Sequence, residues 1–158
     1  MARIDLPEGL DDDSIKLLSL QPAMGNAMAV LTHAIYNQSG LDIRVRESIR
    51  MCIANINQCQ ICLNFRFPAL EKEGITEAFY QEVLDWRTST LFSDKEKLAI
   101  EYAELFAGDH LAINDAFMDQ LKQYFTSSEI FELTYSIGGL IANGRTLQVL
   151  QIDQTCSI

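Results

Sequence analysis

The stretch from residue 47 to residue 66 reads ESIRMCIANINQCQICLNFR and decides both the fold and the chemistry. In and just before it, apolar residues recur every three or four positions, which is typical of a helix: Val45, Ile49, Cys52, Ile53 and Ile56. Asn57-Gln58 makes a short turn, after which Cys59 opens a second helix over residues 59–67. The stretch therefore predicts an antiparallel helical hairpin with a Cys-x-x-Cys pair beside its turn.

The second helix of this hairpin contains a proline. Pro68 removes the backbone hydrogen bond to the carbonyl of Asn64, so we expect the helix to kink there and continue. Gly74 then stops it, as glycine commonly does at a helix end.

The rest of the chain also reads as helices. Apolar residues step along one helix face at Met24, Met28, Leu31 and Ile35. Capping residues open further helices, because their side chains accept hydrogen bonds from the first turn: Thr76, the box Ser93–Glu96, Asn114 and the box Thr126–Glu129. No convincing strand pattern is present, so we predict an all-α bundle of about six to eight helices.

Length and composition set the domain organisation. The chain has 158 residues, with 8 Gly and 3 Pro, which suits one helical domain and argues against many short strands. Residues 1–13 form an N-terminal arm with an acidic run, Asp11-Asp12-Asp13, that complements the dipole of a helix starting near Ser14. Residues 14–158 form a single all-helical domain.

The net charge and the hydropathy of the chain limit the partners and the cellular compartment that we expect. The net charge of −10 repels phosphate backbones and anionic lipid, so we expect neither nucleic acid nor a membrane as partner. No apolar run is long enough to span a membrane, and the N-terminus has no apolar signal core. We therefore expect a cytoplasmic protein, in which a Cys-x-x-Cys pair indicates redox or metal chemistry.

The pair Cys59 and Cys62 is the most informative local feature. Three residues apart on a helix, both sulfur atoms fall on one side and can form a disulfide, and a helix start near Cys59 favours a thiolate. The chain has no second Cys-x-x-Cys and no His-x3-His, so we expect no metal site. The alternative reading is two buried helix cysteines without a role.

Hairpin geometry places a carboxylate and a cation near the thiols. At about 1.5 Å per residue, Glu47 and Arg66 lie nearly level on the two helices. Cys62 lies one turn from Arg66 on the same face. A carboxylate, a cation and a thiol then line up across the hairpin, unless Glu47 and Arg66 are ordinary surface charges, which contribute little to stability.

The motif resembles that of a known family. Glu47, eleven residues and Cys59-x-x-Cys62 resemble the Glu-x11-Cys-x-x-Cys-x3-His motif of redox members of the alkylhydroperoxidase D (AhpD)-like branch of the carboxymuconolactone decarboxylase-like superfamily. Residues 41–47, 92–96 and 128–133 are also similar, and the resemblance covers roughly residues 20–152.

The resemblance implies a small helical subunit that forms homo-oligomers and reduces hydroperoxides. By analogy, Cys62 is the attacking thiolate and Cys59 captures the resulting sulfenic acid as a disulfide, assisted by Glu47 and Arg66. No cofactor is implied, and an external dithiol, either a small molecule or a protein, supplies the electrons. The activity is that of an antioxidant thiol peroxidase, or of disulfide exchange.

The chain departs from the family motif at residue 66, where Arg66 replaces the histidine. Arginine keeps its proton, so it cannot act as a general base. Its charge can still lower the pKa of Cys62, and we expect that thiol to titrate below about 8.5. Two alternatives follow: a catalytically degenerate oligomer or disulfide redox sensor, and the lactone decarboxylase activity that names the superfamily, which uses no Cys-x-x-Cys.

The remaining candidates carry no chemistry by themselves. We expect Cys52 to pack in the core, Cys156 to be an idle thiol, and Arg145 to reach an acidic partner within the bundle. His33 and His110 lie outside the motif. Small residues cluster in the last helix, where they permit either tight packing within one subunit or a subunit interface: Gly138, Gly139, Ala142 and Gly144.

Overall fold

The computed structural model describes residues 2–9 and 12–152, and within these ranges it contains helices and no strand. The α-helices in these ranges are α1 (Asp13–Ser19), α2 (Pro22–Asn37), α3 (Ile43–Ile56), α4 (Gln60–Asn64), α5 (Glu77–Glu82), α6 (Asp94–Gly108), α7 (Asp115–Tyr124) and α8 (Ser127–Leu150). Short 3-10 segments lie at Pro68–Glu73, Val83–Asp85 and His110–Ala112. The predicted all-α fold is confirmed.

The predicted helix starts are confirmed by their hydrogen bonds. Ser93 and Thr126 each form a complete capping box, with Glu96 and Glu129 respectively, at the starts of α6 and α8. Thr76 and Asn114 cap α5 and α7 by accepting hydrogen bonds from backbone amides. These local bonds satisfy amides that have no partner inside a helix, which is why the sequence alone locates them.

Helix α3 lies at the centre of the molecule and packs against both α6 and α8. Residues 47–54 are all buried, so neither the predicted apolar stripe nor the opposite face reaches solvent. The reading of Glu47 as a surface charge is therefore wrong, because other helices cover α3 on several sides. Burial of its polar residues places the candidate chemistry in the interior.

The predicted kink at Pro68 is wrong, because the helix ends before the proline. Helix α4 stops at Asn64, and Phe65 and Phe67 have extended backbones with ψ of 128° and 93°. The ring of a proline disfavours helical geometry in the residue before it, here Phe67. A separate 3-10 segment begins at Pro68 and ends at Gly74, whose φ of +75° confirms the predicted stop.

The N-terminal arm contacts the end of the last helix. Arg3 donates from its backbone N–H to the carbonyl of Leu150 at 2.8 Å. Asp12 accepts hydrogen bonds from the Ser14 hydroxyl and, as the cap of α1, from Ser14 N–H at 2.7 Å, and these bonds lower the pKa of its carboxyl group. The acidic run therefore lies at a helix start as predicted, although Asp11 is outside the described residues.

The small residues of α8 divide between two environments. Gly139 faces α2, where a Cβ atom would lie 2.9 Å from Ile35 Cδ1, and a Cβ atom at Gly144 would collide with the Asn57 side chain. A Cβ atom at Gly138 would meet open space, and Ala142 is exposed. Gly139 and Gly144 thus serve packing within the subunit, whereas Gly138 and Ala142 leave a face open.

None of the described helices is both long and apolar enough to cross a membrane.

Candidate active site

The two cysteines of the motif form a disulfide but differ in exposure. Cys59 and Cys62 are bonded, with their Cα atoms 5.2 Å apart. Cys59 precedes α4 as its capping residue, and its Sγ accepts a hydrogen bond from Cys62 N–H at 3.3 Å. Cys59 is 0% exposed, whereas Cys62 is half-buried. Of these two residues, only Cys62 has surface in contact with solvent.

A buried ion pair lies next to the backbone of Cys62. Arg50 Nε donates to Glu47 Oε2 at 2.9 Å, and the two side chains are only 2% and 0% exposed. The same guanidinium donates to the carbonyls of Cys62 at 2.8 Å and Phe65 at 3.3 Å. Carbonyls at a helix end have no partner inside the helix, so Arg50 anchors the carbonyl end of the helix that carries Cys62.

Tyr80 joins this pair from α5. Its hydroxyl donates to Glu47 Oε2 at 3.2 Å. Burial and the Glu47 carboxylate raise the pKa of Tyr80, opposed by Arg50. The second oxygen of the carboxylate, Glu47 Oε1, is buried and accepts no hydrogen bond within the described residues. It is therefore an acceptor that is still free within this part of the chain.

Arg66 pairs with Glu77 and not with Glu47, and the predicted common helix face of Cys62 and Arg66 is wrong. Its guanidinium donates to Glu77 from Nε at 2.8 Å and from Nη2 at 3.1 Å. It also donates to the Leu63 carbonyl at 2.5 Å and lies 4.2 Å from the centre of the Tyr80 ring. The prediction failed because α4 ends at Asn64, so Arg66 does not continue the helical face of Cys62.

The structure also locates the other singled-out residues. Cys52 is buried, as predicted, and burial raises the pKa of its thiol to about 12. His33 and His110 are exposed. Arg145 donates to Asn57 Oδ1 and the Ala107 carbonyl, not to the predicted acidic partner. Cys156 lies outside the described residues.

Arg50 and Tyr80 are the site residues that sequence reasoning missed. Glu47 and Arg50 stand three residues apart on a helix, a spacing that permits an ion pair, so a local signal existed for Arg50. Tyr80 lies 33 residues from Glu47 in sequence, and no local pattern links the two. No group of three or more His, Cys, Asp or Glu side chains in the described ranges is placed to hold a metal ion.

Relatives in sequence give the family. The Carboxymuconolactone decarboxylase family profile matches residues 22–105, more than half of the chain. The chain is 35% identical over 102 residues to the uncharacterized protein YnjA of Escherichia coli K12, covering 64% of this chain and 56% of that protein. It is 28% identical over 106 residues to the uncharacterized protein Rv2313c of Mycobacterium tuberculosis, covering 66% and 37%. The chain thus spans about half or less of these relatives.

Solved structures share the fold at low sequence identity. ATU0492 from Agrobacterium tumefaciens, described as a candidate antioxidant defence protein AhpD, is 19% identical with a TM-score of 0.76, covering 96% of both chains. An uncharacterized peroxidase-related protein from Silicibacter sp. TM1040 is 15% identical with a TM-score of 0.80, covering 98% and 92%. The debrominase Bmp8 is 13% identical with a TM-score of 0.75, covering 94% and 79%. The chain has the AhpD-like helical fold and belongs to the carboxymuconolactone decarboxylase family.

Proposed function

We propose that this protein is a thiol-dependent peroxidase that reduces hydroperoxides through the Cys59–Cys62 couple. The observation that carries the proposal is the asymmetry of the disulfide, in which Cys59 is fully buried and Cys62 is only partly buried. A sealed sulfur cannot meet a peroxide directly, but it can capture an oxidised neighbour. This asymmetry gives each cysteine a separate role.

The chemistry needs no other redox group. The Cys62 thiolate attacks the outer oxygen of the peroxide, which breaks the O–O bond and leaves a sulfenic acid and an alkoxide that is protonated to the alcohol. The Cys59 thiol then attacks the sulfenic sulfur, which forms the disulfide and releases water. An external dithiol reduces the disulfide and becomes oxidised in turn.

The buried Glu47–Arg50 pair next to Cys62 favours deprotonation of its thiol. Once Glu47 accepts the thiol proton, it no longer balances the charge of Arg50, and that positive charge beside the Cys62 carbonyl favours the thiolate form. Glu47 Oε1, which has no hydrogen-bond donor in the described ranges, is the proposed acceptor for the thiol proton. Arg66 supports the site by binding the Leu63 carbonyl, while Glu77 neutralises much of its charge.

Peroxide consumption with a dithiol reductant tests the proposal. Cys62→Ser abolishes turnover because no sulfenic acid can form. Cys59→Ser stops cycling but still forms one sulfenic acid per chain, detectable by mass. Cys52→Ser is the matched control, since that thiol is buried with a pKa of about 12, and it retains activity. Turnover that survives Cys62→Ser contradicts the proposal.

The same variants separate the alternatives. A redox sensor forms the disulfide reversibly without sustained peroxide turnover, and its assembly changes with oxidation. A lactone decarboxylase turns over its carboxylated lactone whether or not Cys59 and Cys62 are present. Each alternative therefore predicts a different result for the cysteine variants.

We propose further that the subunit forms homo-oligomers through α2 and α8. Helix α2 contains 16 residues without Asp, Glu, Lys or Arg, although the chain carries a net charge of −10. Large apolar side chains stay exposed on these helices: Met24 69%, Val30 70%, Phe131 64%, Tyr135 57% and Val149 60%. The absence of acidic side chains on α2, together with the exposed apolar side chains of α8, suits a second copy because it limits repulsion between acidic chains.

Sedimentation tests this interface. Tyr135→Glu places a charge on the exposed apolar face of α8 and reduces the assembly to smaller species. Tyr124→Glu alters an exposed tyrosine of α7 and leaves the assembly unchanged. An assembly that is insensitive to Tyr135→Glu contradicts the proposed face.

A further inference from the structure

Arg46 is an arginine without an acceptor in the described part of the chain. Every other arginine donates at least one hydrogen bond to a carboxylate, carbonyl or amide oxygen: Arg3, Arg44, Arg50, Arg66, Arg87 and Arg145. Arg46 makes no such bond within residues 2–9 and 12–152, and its Nε is buried. A buried donor without a partner is costly, so this side chain is suited to an acceptor from outside the described chain.

Arg46 lies close to the buried pair. It stands four residues before Arg50, so both project from the same face of α3. Both guanidinium groups act on the hydroxyl of Tyr36, whose pKa is raised by burial, lowered by Arg50, raised by Glu47 and lowered by Arg46. Arg46, Tyr36 and the Glu47–Arg50 pair therefore form one neighbourhood beside Cys62.

Aromatic rings line the flank of this neighbourhood. The Tyr36 ring centre lies 5.9 Å from that of Phe67, which packs edge-on against Phe65 at 4.5 Å. Phe65 is 45% exposed, and its carbonyl is bound by Arg50. An exposed aromatic side chain thus follows the helix that carries Cys62, and the unpaired Arg46 lies on the neighbouring helix α3.

The local charge favours an anion. Arg50 has Glu47 as its counter-ion, whereas Arg46 has no carboxylate partner within the described residues, although the chain carries a net charge of −10. A guanidinium binds carboxylates with two parallel hydrogen bonds in a planar geometry. A carboxylate with a flat apolar body matches both the cation and the rings.

We propose that Arg46 recognises a carboxylate on the substrate, so that the preferred hydroperoxide carries an acidic group on an aromatic or similarly apolar body. This inference rests on the proposed peroxidase function for its reaction, but not for its binding step. Arg46 holds the carboxylate, and the Tyr36, Phe65 and Phe67 rings contact the apolar part.

Binding tests recognition without turnover. The oxidised protein is titrated calorimetrically with para-isopropylbenzoate and with its neutral amide. A charge-assisted hydrogen bond makes the carboxylate bind about tenfold tighter or more. Arg46→Gln removes this preference, Arg46→Lys retains part of it, and Arg87→Gln, which removes a charge elsewhere, leaves it unchanged. Equal affinity of the wild-type protein for both compounds overturns the inference.

Turnover separates this inference from the proposed function. Cumene hydroperoxide and its para-carboxy derivative are compared, and Arg46→Gln raises KM for the carboxylated peroxide while leaving the neutral one unchanged. If neither peroxide is consumed but the Arg46-dependent binding preference persists, the peroxidase function fails and the recognition site stands. If both are consumed equally by the wild-type protein and by Arg46→Gln, the recognition site fails and the peroxidase function stands.

A carboxylate from a second copy is the competing source of the anion. In that case Arg46→Gln reduces the assembly in sedimentation, and the wild-type protein shows no preference for the benzoate over the amide. This result overturns the inference. Circular dichroism of Arg46→Gln and Arg46→Lys verifies that both variants are folded.

Discussion

Two arginine–carboxylate pairs flank the Tyr80 ring, and they have nearly the same length. Arg50 and Glu47 are 2.9 Å apart, and Arg66 and Glu77 are 2.8 Å apart. Each arginine also donates to carbonyls of the segment that carries Cys62. They differ in exposure, since the first pair is 2% and 0% exposed and the second 30% and 59%.

The difference in exposure indicates which of the two pairs acts on the Cys62 thiol. Water screens the exposed outer pair, Arg66 and Glu77, so this pair contributes little to stability and has a weak electrostatic effect on Cys62. The buried inner pair, Arg50 and Glu47, is not hydrated, so each charge is stabilised mainly by the other. The inner pair therefore governs both the local stability and the electrostatics at Cys62, although Arg66 is nearer in sequence.

The largest expected effect comes from removing the counter-ion of the buried Glu47 carboxylate. Arg50→Met lowers the free energy of unfolding by about 3–5 kcal/mol, because Glu47 remains buried without its counter-charge. Urea denaturation measures the loss. Combining Glu47→Leu with Arg50→Met restores a substantial part, since no unpaired charge remains.

Arg66→Met is the matched control for this comparison. A cost as large as that of Arg50→Met, or no recovery in the Glu47–Arg50 double variant, would show that burial does not separate the two pairs.

The next effect concerns thiol reactivity. In the reduced protein, Arg50→Gln raises the pKa of Cys62, because a buried cation acts on the thiolate with little screening. Arg66→Gln raises it less, because water screens the charge of Arg66. The measurement is the pH dependence of iodoacetamide labelling at Cys62, read by peptide mass, with folding verified by circular dichroism. Equal shifts for both variants argue against the inner pair as the source of activation.

A smaller effect is expected at the residue between the pairs. Tyr80→Phe removes the hydroxyl that donates to Glu47 Oε2 and costs about 1 kcal/mol of unfolding free energy. The ring remains, so its contacts with both guanidinium groups persist. Tyr124→Phe, at an exposed position, is the control and leaves stability unchanged. A cost as small as that of the control would mean that this bond adds no net stability.

The smallest effect is at the outer pair and depends on pH. Hydrogen bonding from Arg66 lowers the pKa of Glu77 below its ordinary value. Stability from this pair is therefore present above that ordinary value and is lost as the pH falls through the lowered one. Arg66→Gln costs at most about 0.5 kcal/mol at neutral pH, and its stability approaches that of the wild-type protein in acid. A difference that grows in acid would contradict this sign.

Sequence reasoning succeeded where the signal is local. The helix starts at Ser93 and Thr126 depend on side chains bonding to amides three residues away, and the structure contains both bonds. The disulfide between Cys59 and Cys62 likewise depends on a spacing of three. Such features need no knowledge of the tertiary fold.

It failed where the outcome depends on an interruption or on distant packing. The expected common face of Cys62 and Arg66 assumed a continuous helix, whereas α4 ends at Asn64. Tyr80 reaches Glu47 because the segment that follows α5, Val83–Asp85, packs against α3. The partner of Arg66, Glu77, lies eleven residues away across a 3-10 segment, where helical spacing gives no guidance.

The burial of Cys59 has a consequence for the order of events. If only the Cys62 sulfur is reachable, peroxide and reductant must use the same entrance in turn. The reductant attacks Cys62, and Cys59 departs as a thiolate that the Cys62 N–H already faces. Oxidation and reduction then alternate as two half-reactions, because the peroxide and the reductant cannot occupy the site together. A double-reciprocal plot of the steady-state rates is therefore expected to show parallel lines.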